Sequence, residues 1–294
     1  MKIRIRLCAI ALVFGVLCSA HAQGQNLFVS EYGGSIYKIA PGGAQSTFAS
    51  GLSQPAGLAF NSAGNLFEAD FGSGNIYEFT TNGTQSTFAS GLSNPTGLAF
   101  NRAGILFVSD FISGNIYEFT TNGTRGTFAS GLGGPLTLTF NSDGDLFVAT
   151  LGGGNIYKFT PSGAQSTFAS GLSSPRGLAF NSDGNLFEAD QLSNNIYEFT
   201  PSGVKSTFAS GLSYPFGLAF NSAGNLFEAD EFGGNINEFT PSGGSSTFAS
   251  GLGHPYGLAF QGITLPVPEP STWVMVGMGI GVFLSGLRFS RRSS

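Results

Sequence analysis

The chain of 294 residues has few of the side chains that perform covalent or acid–base catalysis, and only 10% of its residues are charged. It contains two cysteines, Cys8 and Cys18, two histidines, His21 and His254, and one tryptophan, Trp273. Both cysteines and His21 lie in an N-terminal segment that we expect to be removed. The rest of the chain would then have no disulfide and no thiol chemistry, and His254 would be its one histidine.

Basic residues are also scarce. Between residues 26 and 266 the chain has 16 acidic and 6 basic residues, a formal charge of −10. Nucleic acids and anionic membrane surfaces bind cationic protein surfaces, so this balance argues against both as partners of the region.

The first 22 residues have the pattern of a signal peptide. Basic residues at positions 2, 4 and 6 precede an apolar run from Leu7 to Leu17, and Ala20-His21-Ala22 places small residues at the two positions that a signal peptidase recognises. The apolar run is shorter than the ~20 residues that a membrane-spanning helix needs. We therefore predict export, with cleavage by signal peptidase before Gln23.

The C-terminal end has a second targeting pattern, over residues 266–294. Val267-Pro268-Glu269-Pro270 precedes an apolar stretch from Val274 to Leu287, and arginines follow at 288, 291 and 292. The basic cluster is expected to stay cytoplasmic. The 16 residues from Thr272 to Leu287 would form a helix of about 24 Å, which is thin for a permanent span.

This order of motif, short hydrophobic helix and basic cluster closely resembles the PEP-CTERM sorting signal of Gram-negative bacteria. The resemblance implies recognition and processing by an exosortase-type enzyme. It predicts a chain held transiently in the inner membrane by a C-terminal transmembrane helix, its only contact with the membrane, and then placed on the cell surface or in the extracellular matrix. The alternative is an ordinary tail anchor.

Between these ends, the hexapeptide TFASGL occurs six times at intervals of 40 residues, beginning at 47, 87, 127, 167, 207 and 247. Such a period is typical of propellers and solenoids. One unit predicts four short strands, Leu58–Phe60, Leu66–Asp70, Ile76–Thr80 and Gln85–Ala89, which are separated by glycine-rich turns and show no helical periodicity. Four antiparallel strands in 40 residues are typical of a propeller blade.

The counts of strands predict a closed ring. The repeat region begins with a second strand near Asn26 and ends with a first strand near Gly257, so six strands of each kind are present. A solenoid would not need this match, whereas in a propeller the last strand completes the first blade. We therefore predict an all-β fold over residues 26–265, a six-bladed β-propeller closed by its C-terminal strand. The 30 phenylalanines are expected to pack blade against blade.

The repeat P-x-G-L-A-F-N-S-x-G-N-L-F-E-A-D resembles the six-bladed NHL, SMP-30 and TolB-like propellers, and streptogramin-lyase-like propellers are looser relatives. SMP-30-like lactonases hold a metal with acidic and amide side chains from different blades. That resemblance implies an alternative function, a metal-dependent lactonase-like or a lyase-like enzyme. However, the candidate groups here are near-copies of one another, and no asymmetric acid–base set was found, so no catalytic residue is assigned.

One set of carboxylates recurs at the end of the second strand, and Thr150 interrupts it. Its members are Glu31, Asp70, Asp110, Asp190 and Asp230. These ends share one face of the disc, so the set could form a ring that binds Ca²⁺. The alternative, which identical local sequences favour, is that each carboxylate caps its own loop. Otherwise no cofactor is expected.

A second partial set lies two residues earlier in the same strand. Glu68, Glu188 and Glu228 stand where the other blades have Val29, Val108 and Val148. The exchange with valine predicts a semi-buried structural position.

The loops on one predicted face depart from the repeat, and this departure locates a candidate binding site. Arg176, Tyr214, Phe216, His254 and Tyr256 come from three successive blade-to-blade loops. Aromatic rings beside polar groups suit sugars and polymers. The hypothesis is a surface binding module for exopolysaccharide or a matrix protein, linked to biofilm; the alternatives are drift in exposed loops and a purely structural role.

Overall fold

The computed structural model describes residues 24–262, which contain 24 β-strands and, within that range, no helix. The first twelve strands are β1 (Leu27–Glu31), β2 (Ser35–Ile39), β3 (Gln45–Ser50), β4 (Pro55–Phe60), β5 (Leu66–Asp70), β6 (Asn75–Phe79), β7 (Gln85–Ala89), β8 (Pro95–Phe100), β9 (Leu106–Asp110), β10 (Asn115–Phe119), β11 (Arg125–Ala129) and β12 (Pro135–Phe140). The others are β13 (Leu146–Thr150), β14 (Asn155–Phe159), β15 (Gln165–Ala169), β16 (Pro175–Phe180), β17 (Leu186–Asp190), β18 (Asn195–Phe199), β19 (Lys205–Ser210), β20 (Pro215–Phe220), β21 (Leu226–Asp230), β22 (Asn235–Phe239), β23 (Ser245–Ser250) and β24 (Pro255–Phe260).

The strands form six antiparallel sheets of four strands, which are the six blades of a propeller. Blades 2 to 6 use consecutive strands, from β4–β7 to β20–β23, whereas blade 1 has the order β24-β1-β2-β3. β24 pairs with β1 in the register Leu27 to Phe260. The predicted fold and its closure by the C-terminal strand are confirmed. The predicted first strand was too short, since it begins at the proline three residues earlier.

Glycine at the third position of the inner strands allows neighbouring blades to approach closely. The inner strands β4, β8, β12, β16, β20 and β24 contact one another around the central channel. A Cβ atom at Gly217 would overlap the backbone carbonyl oxygen of Tyr256 on the next inner strand. Blade 4 has Thr137 at this position, so the approach is not the same all round the ring.

Phenylalanine side chains join the blades as predicted. Phe67 of blade 2 packs edge-on against Phe88 of its own blade at 5.1 Å and against Phe100 of blade 3 at 5.0 Å between ring centres. The same arrangement recurs around Phe28, Phe107, Phe147, Phe187 and Phe227. Edge-to-face pairs contribute roughly 0.5–1.5 kcal/mol beyond their buried area, so each blade interface is stabilised in the same way.

Two faces of the disc differ in sequence. The turns after the first and third strands, such as 61–65 and 80–84, form what we name the turn face, and they repeat with little change. The loops after the second and fourth strands form the opposite face, which we name the mouth face. The variable loops of the sequence therefore surround one end of the channel.

Candidate functional site

The second residue of each inner strand lies at the mouth end of the central channel, and these residues divide the ring into two unlike halves. Three of them, Ala56, Thr96 and Leu136, are small or aliphatic, whereas the other three are Arg176, Phe216 and Tyr256. The channel between the inner strands holds a cavity of about 60 Å³. The bulky half covers the channel mouth over blades 5, 6 and 1.

Arg176, Phe216, Tyr256 and Tyr32 form a continuous stack, which we name the mouth cluster. The guanidinium carbon of Arg176 lies 5.1 Å from the ring centre of Phe216. The ring centres of Phe216 and Tyr256 are 3.6 Å apart, and those of Tyr256 and Tyr32 are 6.3 Å apart. Four residues from three blades thus join a half-buried cation to an exposed tyrosine.

A line of polar groups holds the Arg176 end of the stack. The Arg176 Nε–H donates to Gln191 Oε1 at 3.0 Å, and the Gln191 amide donates in turn to Glu231 Oε2 at 3.0 Å. Burial raises the pKa of the Tyr256 hydroxyl. The charge of Arg176 lowers this pKa by a smaller amount, and Glu231 and Tyr32 raise it slightly. The Tyr256 phenol therefore stays protonated and acts as a neutral, stacked ring.

A second group, which we name the rim cluster, consists of Tyr214, Phe232 and His254. The ring centres of Tyr214 and Phe232 are 4.2 Å apart, and Phe232 meets the His254 imidazole at 5.9 Å. Backbone contacts fix these loops, since the N–H of Tyr214 donates to Asn194 Oδ1 at 3.2 Å and the Tyr214 carbonyl accepts from the N–H of Glu231 at 3.2 Å. Tyr214 itself has a left-handed φ of 64°.

The structure distributes the five predicted site residues between these clusters. Arg176, Phe216 and Tyr256 belong to the mouth cluster, and Phe216 is only 7% exposed. Tyr214 and His254 belong to the rim cluster. Among the described residues, the most accessible phenylalanine and tyrosine side chains are ones that the sequence analysis did not single out, Tyr32 at 44% and Phe232 at 56% exposed.

Both missed aromatic residues follow the second strand of a blade, in the loops EYGG and DEFG, whose variability was already visible in the sequence. The missed polar residues Gln191 and Glu231 lie in the same set of loops. The available signal was the pair of positions after the recurring carboxylate, which read YG, FG, FI, LG, QL and EF in blades 1 to 6. Reading those positions together with the blade-to-blade loops would have found the whole surface.

The recurring carboxylates at the ends of the second strands accept backbone hydrogen bonds. Asp70 Oδ2 accepts from the N–H of Ser53 at 2.7 Å and its Oδ1 from the N–H of Ser73 at 2.9 Å. Asp110, Asp190 and Asp230 make the equivalent pairs of bonds, and Glu31 accepts from the N–H of Gly253. Each carboxylate thus ties the loop before its inner strand to the loop after its second strand.

This geometry favours loop capping over a shared metal. Within residues 24–262, no group of three or more histidine, cysteine and acidic side chains is arranged to hold a metal ion. In blade 4 Thr150 replaces the carboxylate, and its hydroxyl donates to the carbonyl oxygen of Asn155 at 3.1 Å. The proposal of Ca²⁺ at Glu31, Asp70, Asp110, Asp190 and Asp230 stays a prediction.

Replacement of Asp190 by alanine separates capping from metal binding. Because Ser173 and Ser193 would lose their acceptor, we expect the free energy of unfolding to fall by about 1–3 kcal/mol. Urea unfolding of wild type and Asp190→Ala, with 5 mM Ca²⁺ or with a chelator, measures this. Equal stability of the wild type under both conditions is expected for capping, and a rise with Ca²⁺ that is absent from the variant would instead support the metal site.

The three glutamates of the second strand lie deeper than predicted. Glu68, Glu188 and Glu228 are fully buried, with 0% exposure, so the expectation of a semi-buried position was wrong. Both faces of this strand are covered by neighbouring blades. Residues at its odd positions pack against the preceding blade, as Val29 does against blade 6, and those at its even positions pack against the following blade, as Phe67 does against Phe100. Neither oxygen of Glu68 or Glu188 makes a hydrogen bond of good geometry within the described residues, nor does Glu228 Oε1.

Burial raises the pKa of all three glutamates. For Glu68 and Glu188, desolvation is the main cause, and the neighbouring Asp70 or Asp190 adds to it, while the backbone of Ala56 and the ammonium of Lys205 oppose it. Burial raises the pKa of Glu228 to about 8, although Asn237 donates to its Oε2 at 2.9 Å. Glu228 therefore retains a proton at neutral pH, and burial shifts the pKa of Glu68 and Glu188 in the same direction. All three carboxyls lie between blades rather than at the mouth face.

The predicted targeting segments lie outside the described residues. These are the signal peptide at 1–22, the motif Val267-Pro268-Glu269-Pro270 and the transmembrane helix that follows. Within residues 24–262 there is no helix long and apolar enough to cross a membrane.

Residues 266–292 match the PEP-CTERM protein-sorting motif. The motif implies export, and processing of a membrane-anchored chain by an exosortase-type enzyme, in a Gram-negative bacterium. No curated protein shows significant sequence similarity to the chain.

Solved structures show the same fold at low sequence identity. A chain of a nidogen/laminin complex is 20% identical, with a TM-score of 0.74 over 83% of this chain and 100% of that one. A catalytically inactive virginiamycin B lyase from Staphylococcus aureus with quinupristin is 16% identical, with a TM-score of 0.64 over 82% and 93% of the two chains. A putative gluconolactonase is 17% identical, with a TM-score of 0.62 over 68% of this chain and 79% of that one. These neighbours show the propeller fold alone, because one fold can carry unrelated functions.

Proposed function

We propose that this exported propeller is a binding module of the cell surface or extracellular matrix, and that it takes an exopolysaccharide chain on the mouth face over blades 5, 6 and 1. The observation that supports this most is the asymmetry of that face. Six near-identical repeats place a stacked Arg–Phe–Tyr–Tyr cluster and an aromatic–histidine cluster on one half. The inner-strand positions of the other half hold small or aliphatic residues, and its loops hold the half-buried pair Phe71 and Phe111, whose ring centres are 6.5 Å apart.

The accessible rings define where such a chain would lie. Tyr32 and Phe232 are the exposed aromatics of the two clusters, and both are tied to the loop that holds His254: Tyr32 through its N–H, which donates to the His254 carbonyl at 3.1 Å, and Phe232 through ring contact. The buried ring of Phe216 and the half-buried ring of Tyr256 position the exposed ones. Aromatic platforms with polar groups beside them suit the faces and hydroxyls of sugars.

The charge of the mouth face favours a neutral polymer. Six carboxylates lie at the ends of second strands or next to them, Glu31, Asp70, Asp110, Asp190, Asp230 and Glu231. Arg176 is the one cation at the same end of the blades, and Gln191 occupies its Nε. A uronate-rich or sulfated chain would meet net negative charge, whereas an uncharged hexose polymer would not.

A double variant of the exposed rings tests the site. We expect Tyr32→Ala/Phe232→Ala to weaken binding of purified neutral exopolysaccharide about 10-fold or more, because each stacked ring contributes about 1 kcal/mol. Affinity electrophoresis in gels containing the polysaccharide measures this, with alginate as an anionic comparison.

The matched control is Ile112→Ala/Leu151→Ala, which removes exposed apolar side chains from the same face in blades 3 and 4. The control should bind as the wild type does. Equal loss in both variants would contradict the location of the site. No retention of the wild type by any polysaccharide would contradict the ligand class and would leave a matrix protein, or a structural role alone, as the explanation.

The alternative of a metal-dependent lactonase-like or lyase-like enzyme has less support. His254 is the one histidine of the described residues, and its ring packs against Phe232 rather than beside a carboxylate. A catalytic site needs unlike groups in defined positions, and the recurring carboxylates are instead engaged by backbone N–H groups. The aromatic site is therefore the better-supported function.

A further inference from the structure

Both ends of the described chain leave the propeller on the turn face. Asn26, just before β1, and Gln261, just after β24, are joined by a backbone hydrogen bond of 3.0 Å and a side-chain hydrogen bond of 3.1 Å. Gln25 accepts from the N–H of Ser222, in a turn of the turn face, at 2.9 Å. The chain therefore enters and leaves close to the channel axis, on the side opposite the mouth and rim clusters.

The connection from this exit to the predicted membrane segment is short. Only residues 263–273 separate Gly262 from the apolar stretch that begins at Val274, and these span at most about 40 Å when fully extended. With the mouth face toward the membrane, the connection would have to cross three strand spacings outward and the height of a blade before it reached the membrane at the edge of the disc. That is about 30 Å before any loop is included. This route would use most of the reach of the connection, whereas with the turn face toward the membrane the chain leaves the propeller directly beside the lipid.

The distribution of charged side chains between the two ends of the blades favours the same orientation. Five of the six cations lie at the turn-face end of the blades, Lys38, Arg102, Arg125, Lys158 and Lys205. The same end also holds seven carboxylates, Glu78, Glu118, Asp143, Asp145, Asp183, Glu198 and Glu238, whereas the mouth end holds Arg176 and six carboxylates. Anionic lipid headgroups repel both ends of the blades, but they repel the turn-face end less, because five of its seven negative charges are balanced and only one of six is balanced at the mouth end. Electrostatics and chain connectivity therefore favour the same face.

We infer that, while the sorting tail holds the chain in the membrane, the propeller stands with its turn face toward the lipid headgroups and its mouth face directed away from the membrane. The turn face is the surface that meets the lipid, and the mouth face is free to meet a ligand before processing releases the chain. This extends the proposed function by giving its site a direction, but it rests on the sorting motif and the described chain ends and not on the identity of any ligand.

Two single-cysteine variants of the full-length precursor test the orientation. Ile112 on the mouth face and Val204 on the turn face are both aliphatic and are 68% and 65% exposed, so Ile112→Cys and Val204→Cys form a matched pair. Both would be produced in membrane vesicles that lack the processing enzyme, with the propeller on the outside. Labelling by a membrane-impermeant maleimide on a large polyethylene glycol would be measured as a rate.

Each rate would be normalised to complete labelling in SDS, and the unsubstituted precursor would serve as the blank for Cys8 and Cys18. We expect Ile112→Cys to be labelled at the rate of an open surface thiol and Val204→Cys to lose most of its labelling. Equal rates, or faster labelling of Val204→Cys, would overturn the inference. Because no ligand is used, failure here and failure of polysaccharide binding are separate results.

Discussion

A chain truncated after Ser250, which lacks β24, should lose the cooperative unfolding transition of the intact propeller. β24 supplies the inner strand of blade 1, where it pairs with β1. Leu258 and Phe260 are buried against blade 6, and the ring of Phe260 lies 4.9 Å from that of Phe227. Burial of each such side chain contributes about 1.5–3 kcal/mol, which together with the lost strand pairing rivals a typical total stability of about 5–15 kcal/mol.

The matched control is a chain truncated after Gly262, which keeps every strand. Thermal unfolding followed by circular dichroism should give one sharp transition for the control and a broad transition at lower temperature, or aggregation, for the chain without β24. Aggregation is expected because the edge of β1 becomes free to pair with other chains. Unfolding of both chains at the same temperature would contradict the role of β24 in closing the ring.

The closed ring could be predicted from the sequence because the same pattern of strands and turns recurs six times. A strand boundary that is weak in one unit is reinforced by five copies, and counting first and second strands from Asn26 to Gly257 leaves one arrangement in which each blade is complete. The three residues missed at the start of each inner strand begin with proline. Turn chemistry dominates the local sequence there, and the strand is recognisable only from its pairing, as between Pro55 and Asp70.

The candidate site could be predicted only in part, because exposure and contact depend on how blades are placed beside each other. Departures from the repeat located Phe216 and Tyr256 correctly on one half of one face. Periodicity within a single unit could not show that their rings would stack on each other and be largely covered, with Tyr32 exposed at the end of the stack. Neighbouring blades therefore decide which of the variable residues reach solvent.

The buried glutamates illustrate the same limit. Alternation within β5 predicts which side of the sheet Glu68 occupies, but not that the two neighbouring blades cover both sides of that strand completely. Exchange with valine was a correct sign of an apolar environment. The depth of burial, which determines the protonation state, arises only when blade 1 packs over the side chain.

Stability should consequently fall as pH rises from 5 to 8. The native state holds protons on Glu68, Glu188 and Glu228 in a range where the unfolded chain, with ordinary carboxyls, has released them. Where the native state binds more protons than the unfolded state, the free energy of unfolding decreases with pH. For Glu228, with a pKa of about 8, this decrease is about 3 kcal/mol between pH 5 and 8.

The triple variant Glu68→Val/Glu188→Val/Glu228→Val should remove this dependence and should be more stable than the wild type at pH 8 by several kcal/mol, since it takes the residue that the other three blades have. Urea unfolding at pH 5 and at pH 8 measures both effects. The reciprocal variant Val148→Glu places a fourth carboxyl in the equivalent position and should steepen the decrease. A wild type equally stable at both pH values, or a triple variant with the same pH dependence as the wild type, would show that these carboxyls find partners or water in solution.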